Sequence, residues 1–238
     1  MMRDRKTGMR PRRCALIILA LTLTVAAGAS AEGAFHLIVI PAASGKSMPQ
    51  MMVLLSGDGG WGATDKGIST SMAARGMPAV GINSLRYFWV KRTPKEASKE
   101  LDGILKQYQA AWKKKKAVLV GYSFGADVLP FMISRLPEDT RSSIRLVVLL
   151  GPSATADFVI HVKNMFGGNA PSDDSLPVAP EIEKLKGMDI LCIYGAGDKG
   201  SVCPKLDKGL AKVVKIDGGH AVGAAYDPVV KAVLRELE

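Results

Sequence analysis

Ser123 stands in Gly-Tyr-Ser-Phe-Gly, residues 121–125, where an apolar run ends and a helical pattern begins. A serine becomes a nucleophile when a base takes its proton and N–H groups receive the charge that its attack creates. Gly-x-Ser-x-Gly between a strand and a helix suits that chemistry. The glycines let the chain turn sharply, and the helix start aims N–H groups and its positive dipole end at the reacting oxygen. Ala-Val-Leu-Val at 117–120 and the helix-forming residues after Phe124 supply the context. Because so short a pattern also arises by chance, the competing reading is a structural turn serine.

A serine nucleophile needs a base, and the chain holds three histidines. His36 falls in an early strand and is read as packing. His161 falls in a long insert, where a substrate contact is open. His220 sits in Asp-Gly-Gly-His after the last strand pattern, the place for a base when the chain order is Ser, acid, His. The acid should leave the preceding strand, and Asp198 does so in "DILCIYGAGDKG", 22 residues before His220. Asp217 is nearer in sequence but better placed to serve its own turn. For the oxyanion, the N–H of Phe124 needs a second donor. "LLSGDGGWG" follows an early strand, and its Asp58 and Gly59 N–H groups are the candidates. A phosphate loop is disfavoured there, because no Lys-Ser/Thr follows the glycines.

The elements that must position these residues alternate along the chain. Strand patterns cover 35–41, 51–56, 79–83, 116–122, 144–151, 189–195 and 211–217, several of them continuous in Val, Ile and Leu as in strands buried on both faces. The clearest helix follows Thr93, which caps it, with Pro94 at its first position and Glu96 completing a capping box. Ala97, Leu101, Ile104, Leu105, Tyr108 and Trp112 then give one apolar face. Further helices are expected at 65–75, 124–135, 181–186, 205–210 and 227–237. The alternation predicts an α/β fold, an α/β-hydrolase-like three-layer sandwich with a mostly parallel central sheet. Residues 152–188, rich in Gly, Pro and Ser, break the rhythm and form a candidate lid or substrate loop.

The first 31 residues read as a signal peptide: a basic start, a largely apolar stretch of 13 residues from Ala15 to Ala27, and small residues allowing cleavage after Ala29 or Ala31. Residues 32–238 are then one exported, periplasmic domain. Paired Arg12 and Arg13 leave Sec and twin-arginine export both open. Removal through Ala31 takes six of 32 basic and one of 22 acidic residues, lowering the formal charge from +10 to +5. The remaining charge suits either solubility or contact with an anionic membrane surface. Recognition motifs for nucleic acid are not found, and direct nucleic-acid binding is not expected. Cys14 leaves with the signal; Cys192 and Cys203 form an even pair suggesting a disulfide in an oxidising compartment. No metal and no cofactor is expected.

With "LLSGDGGWGATDKG", "RYFWVKRTP", "GYSFGADVLPF" and "YGAGDKGSVCP" in view, the chain resembles the VirJ/AcvB family of bacterial virulence proteins, in its compact VirJ type. The resemblance implies a periplasmic α/β-hydrolase that cleaves the aminoacyl ester of lysyl-phosphatidylglycerol and a link to type IV secretion components or substrates. It implies Ser123 as nucleophile with Asp198 and His220 as partners. A cationic lysyl group would want acidic neighbours, for which Asp65, Asp157, Asp173 and Asp174 are candidates; their competing role is as solvated loop acids or helix caps. Trp61, Tyr87, Phe88 and Trp89 would meet lipid, line the pocket or fill the core. Two alternatives stand beside this reading: a serine esterase for another ester or thioester, and a non-enzymatic secretion adaptor on a hydrolase scaffold.

Overall fold

A computed structural model describes residues 37–160, 172–220 and 226–238. The expected signal peptide, Cys14, His36 and His161 lie outside the described residues, as does part of the 152–188 insert. Along the chain run β1 (Leu37–Ile40), β2 (Gln50–Leu55), α1 (Ala63–Ala73), β3 (Ala79–Ile82), α2 (Ser84–Tyr87) and α3 (Pro94–Trp112). They are followed by β4 (Lys116–Tyr122), α4 (Phe124–Ile133), α5 (Glu138–Arg141), β5 (Ile144–Leu150), β6 (Thr155–Ala156) and β7 (Leu176–Pro177). The chain closes with α6 (Val178–Glu183), β8 (Ile190–Gly195), β9 (Lys212–Ile216) and α7 (Asp227–Leu237).

Seven strands form one sheet in the order β1-β3-β2-β4-β5-β8-β9. Only the β1–β3 pairing is antiparallel. β2 shows why its sequence is continuously apolar: Met51, Val53 and Leu55 face the layer built by α3, α4 and α6, while Met52 and Leu54 face α1 and α7. All five are fully buried. A strand covered on both faces has no polar side to alternate with.

The α3 cap forms as expected. Thr93 Oγ1 accepts from Glu96 N at 3.2 Å, and Glu96 Oε2 accepts from Thr93 N at 2.8 Å. The helix expected at 205–210 does not form. A single 3₁₀ turn, Cys203–Lys205, takes its place, and Gly209 at φ +104° cannot continue a right-handed helix. Cys203 is also held back to β8 by a disulfide to Cys192, with Cα atoms 5.6 Å apart. The short α2 and α5 carry too little periodicity to be read from sequence. Within the 152–188 insert, β6 and β7 pair antiparallel, which ties Thr155 and Ala156 to Pro177 and Leu176.

In a parallel sheet every strand points the same way. The segments after β2, β3, β4, β5, β8 and β9 therefore emerge at one edge, where ligands are bound in open α/β sheets. Ser123, Asp198 and His220 all lie in those segments.

Candidate active site

Ser123 caps α4 with φ 51° and ψ −119°, a conformation that costs a non-glycine residue about 1–3 kcal/mol. The turn is held from both sides. Ser123 N donates to Leu150 O at the end of β5 at 2.8 Å, and its carbonyl accepts from Ala126 N and Asp127 N. The flanking glycines act by size, not by positive φ. A Cβ on Gly121 would stand 2.5 Å from Gly125 O, and one on Gly125 would stand 2.4 Å from Leu55 O. Strand, elbow and helix can approach only because both side chains are absent.

Ser123 Oγ lies 2.8 Å from His220 Nε2, and His220 Nδ1 lies 2.8 Å from Asp198 Oδ2. A carboxylate can only accept, so Nδ1 carries the proton and donates to Asp198; Nε2 is left to accept from the serine hydroxyl. The Asp198 side chain is 5% exposed and that of His220 45%. The acid is thus sealed while the imidazole reaches solvent. Asp198 Oδ1 accepts from Gly200 N at 3.1 Å, occupying the second oxygen. Gly197 N donates to Gly218 O at 2.8 Å, tying the acid's loop to the histidine's. Gly151, at φ +64°, packs against the pair: a Cβ there would meet Asp198 Oδ2 and His220 Cε1, each at 3.5 Å. Asp217, the alternative acid, is exposed at the end of β9.

Ala126 N and Asp127 N are used by the Ser123 carbonyl, which leaves Phe124 N–H outside the helix ladder at the first position of α4. The glycine-rich loop after β2 comes alongside, with Gly57 close enough that a Cβ would touch Ser123 Cβ at 3.5 Å. Two bonds pin that loop: Ser84 N donates to Ser56 Oγ at 3.0 Å, and Ser84 Oγ to Ser56 O at 2.6 Å. Gly59 N–H points to Asp58 Oδ1 at 2.9 Å. This removes Gly59 as an oxyanion donor and leaves the N–H of Asp58.

The proposed substrate contacts divide differently. Asp65 is buried in the first turn of α1, where its Oδ2 accepts from Gly62 N at 2.8 Å. It serves the helix start, and burial pushes its pKa up to about 6. Asp157 Oδ1 accepts from Ser172 Oγ and Ser175 Oγ, both at 2.7 Å, and so holds the insert. Asp174 pairs with Lys91 on the surface; Asp173 is exposed. The Trp61 ring lies over β3, where a Cβ on Gly81 would come within 2.2 Å of it, and it is taken up by core packing. Phe88 is buried against Phe124, with ring centroids 5.0 Å apart.

One residue was not singled out from sequence. Asp127, one turn into α4, is buried and accepts from Ser153 N at 2.6 Å. Burial, with smaller contributions from the charges of Asp58 and Asp157, raises its pKa to about 8. Its only sequence signal is an acid in the otherwise apolar run Phe124–Ile133.

Among solved structures, the chain is similar to esterase PE8 with 21% identity, covering 86% of this chain and 99% of that one at a TM-score of 0.55. It is also similar to Est1E from Butyrivibrio proteoclasticus, with 12% identity, coverage of 85% and 95%, and a TM-score of 0.61. MenH from S. aureus gives 14% identity, coverage of 85% and 97%, and a TM-score of 0.62. These likenesses show the α/β-hydrolase fold. No curated protein matches the chain. Residues 49–238 match the family described as bacterial virulence protein (VirJ), and the chain belongs to that family.

Proposed function

We propose that this protein is a periplasmic serine hydrolase that cleaves the aminoacyl ester of lysyl-phosphatidylglycerol and releases lysine. The observation that carries the hydrolase reading is the continuous hydrogen-bonded chain Ser123–His220–Asp198, with both links at 2.8 Å. The lipid ester is carried by the family resemblance. Asp58 and Asp157, whose charges act on Asp127 beside the elbow, support a cationic acyl group through the negative potential they place there.

In the proposed reaction, Ser123 Oγ attacks the lysyl carbonyl carbon as His220 Nε2 takes the hydroxyl proton. Asp198 holds the imidazole and stabilises its protonated form. The tetrahedral oxyanion receives the N–H groups of Phe124 and Asp58. Collapse breaks the bond to the glycerol oxygen, which leaves with the proton from His220. Water, deprotonated by His220, then attacks the lysyl-serine ester, and lysine departs as Ser123 regains its proton. A residual link to type IV secretion comes from the same resemblance and requires no change to these steps.

The test compares wild type with Ser123→Ala on lysyl-phosphatidylglycerol and on a short-chain ester. Lysine release by wild type alone is expected. Release that persists in Ser123→Ala would remove the nucleophile assignment. Turnover of the short-chain ester alone would leave the hydrolase and remove the lipid.

A further inference from the structure

Few large apolar side chains among the described residues stand open to solvent. Among the described residues they are Val39, Trp89, Val90 and Val213. Val39 and Val213 sit singly on the two edge strands, β1 and β9, where isolated exposure needs no explanation. Trp89 and Val90 differ. They are consecutive, 58% and 55% exposed, and follow α2 at the catalytic edge of the sheet.

Three observations fix this tip and give it a charge. Phe88, just before it, is fully buried and meets Phe124 and Phe158 edge to face, so the tip is rooted in the aromatic cluster beside the nucleophile. Its backbone is clamped to the insert: Ile160 N donates to Phe88 O at 2.9 Å, and Arg92 N to Phe158 O at 2.8 Å. The surrounding decapeptide, residues 86–95, carries Arg86, Lys91, Arg92 and Lys95 and no acid. Arg86, Lys91 and Lys95 are exposed, and the Arg92 guanidinium lies over the Tyr87 ring at 4.9 Å. Asp174, paired with Lys91, is the one acid that an ion pair brings to this decapeptide among the described residues.

A tryptophan and a valine raised on a rigid base and ringed by cations match one environment closely. The indole and valine enter the boundary between headgroups and acyl chains, while the cations meet lipid phosphates. We infer that Trp89 and Val90, with Arg86, Lys91 and Lys95, form an interfacial anchor that docks the catalytic edge on an anionic bilayer. Docking there places the mouth of the Ser123 site against the membrane, so an ester on a lipid headgroup reaches the nucleophile without leaving the bilayer. Among the described residues Arg86 and Lys95 have no ion-pair partner and Lys91 has only the exposed Asp174, so the ring keeps a net positive charge that suits lipid phosphates better than a protein partner or a second copy of this basic chain. The biological use of the anchor rests on the lipid-ester reading above; its existence does not, since docking is measured without turnover.

The experiment is co-sedimentation of the full chain with vesicles of phosphatidylglycerol and phosphatidylcholine in equal parts, or of phosphatidylcholine alone. Wild type should bind the anionic vesicles and lose most of that binding in high salt, as screening predicts. The double variant Trp89→Ala/Val90→Ser should bind about tenfold more weakly, with an unchanged far-ultraviolet spectrum and melting temperature. Trp89→Phe should retain most of the binding. In wild type, brominated phosphatidylglycerol should quench tryptophan fluorescence, a measurement that needs no variant to fold. Ser123→Ala should bind as wild type does, so that absent lysine release and absent docking are separate results. Equal binding by wild type and the double variant, no preference for anionic vesicles, or absent quenching would overturn the anchor. Self-association of wild type without lipid, abolished in the double variant, would assign the tip to a second copy and overturn it as well.

Discussion

Asp198 Oδ2 and His220 Nδ1 meet at 2.8 Å although they leave different strands, β8 and β9. The pairing is enforced by backbone, because Gly197 N bonds Gly218 O and Ala196 N bonds Ile216 O, each at 2.8 Å. Asp198→Asn should keep this geometry while turning the imidazole toward the wrong tautomer. A fall in kcat of about 10⁴-fold on a soluble ester is expected, with KM nearly unchanged. Ser123→Ala and His220→Ala should each lose at least as much. Steady-state kinetics on the three variants checks the ranking.

The disulfide brackets the acid. Cys192 and Cys203 lie on either side of Asp198, and both are fully buried. Val202 N also donates to Pro152 O at 2.9 Å, anchoring the far end of that loop to the segment after β5. The double variant Cys192→Ala/Cys203→Ala should lose about 3 kcal/mol of stability through the closed loop. It should also lose activity below its melting temperature, because the Asp198 loop gains freedom. Urea unfolding and kcat, measured together, test the pair of effects.

Gly125 meets the end of β2 so closely that a methyl group has nowhere to go. Gly125→Ala should destabilise the protein by about 1–3 kcal/mol and displace the Ser123 turn. Gly103→Ala is the contrast: it lies in α3 with open space around it and should stabilise the helix by about 0.5–1 kcal/mol. Denaturant midpoints for the two variants give the comparison.

Two buried carboxyls make stability depend on pH in one direction. Asp127 is raised to about 8 and Asp65 to about 6, each chiefly by burial. A carboxyl raised in the folded state favours its neutral form there. The stability it contributes is full below the unfolded pKa of about 4 and is lost as pH rises through the folded value. Asp127→Asn keeps the acceptor for Ser153 N and removes the titration. Its stability relative to wild type should therefore rise from about pH 4 to pH 8 and level off above. For Asp65→Asn, which keeps an acceptor for Gly62 N, levelling should come near pH 6. Urea titrations at several pH values separate the two residues.

Much of the fold was legible in the chain because both-face burial leaves an unmistakable mark. The seven strands of the sheet were read to within two residues at either end, and Thr93, Pro94 and Glu96 marked the start of α3. Ser123, Asp198 and His220 could be ordered because parallel strands send their following loops to one edge, so position along the chain maps onto position at the site. Elements with weak periodicity were lost: α2 and α5 were missed, and the helix expected at 205–210 proved to be a 3₁₀ turn with Gly209 beyond it.

Side-chain partners were a different matter. Residue types could nominate Gly59, Asp65, Asp157 and Trp61 for the site, but each has a neighbour that claims it: the Asp58 carboxylate, Gly62 N–H, two serines, and the face of Gly81. The burial of Asp127 and the exposure of Trp89 and Val90 were equally hidden. Sequence determined which residues could do the chemistry and the order in which the sheet would present them. Tertiary structure decided which were free to act, because hydrogen-bond capacity and access to water depend on neighbours distant in the chain.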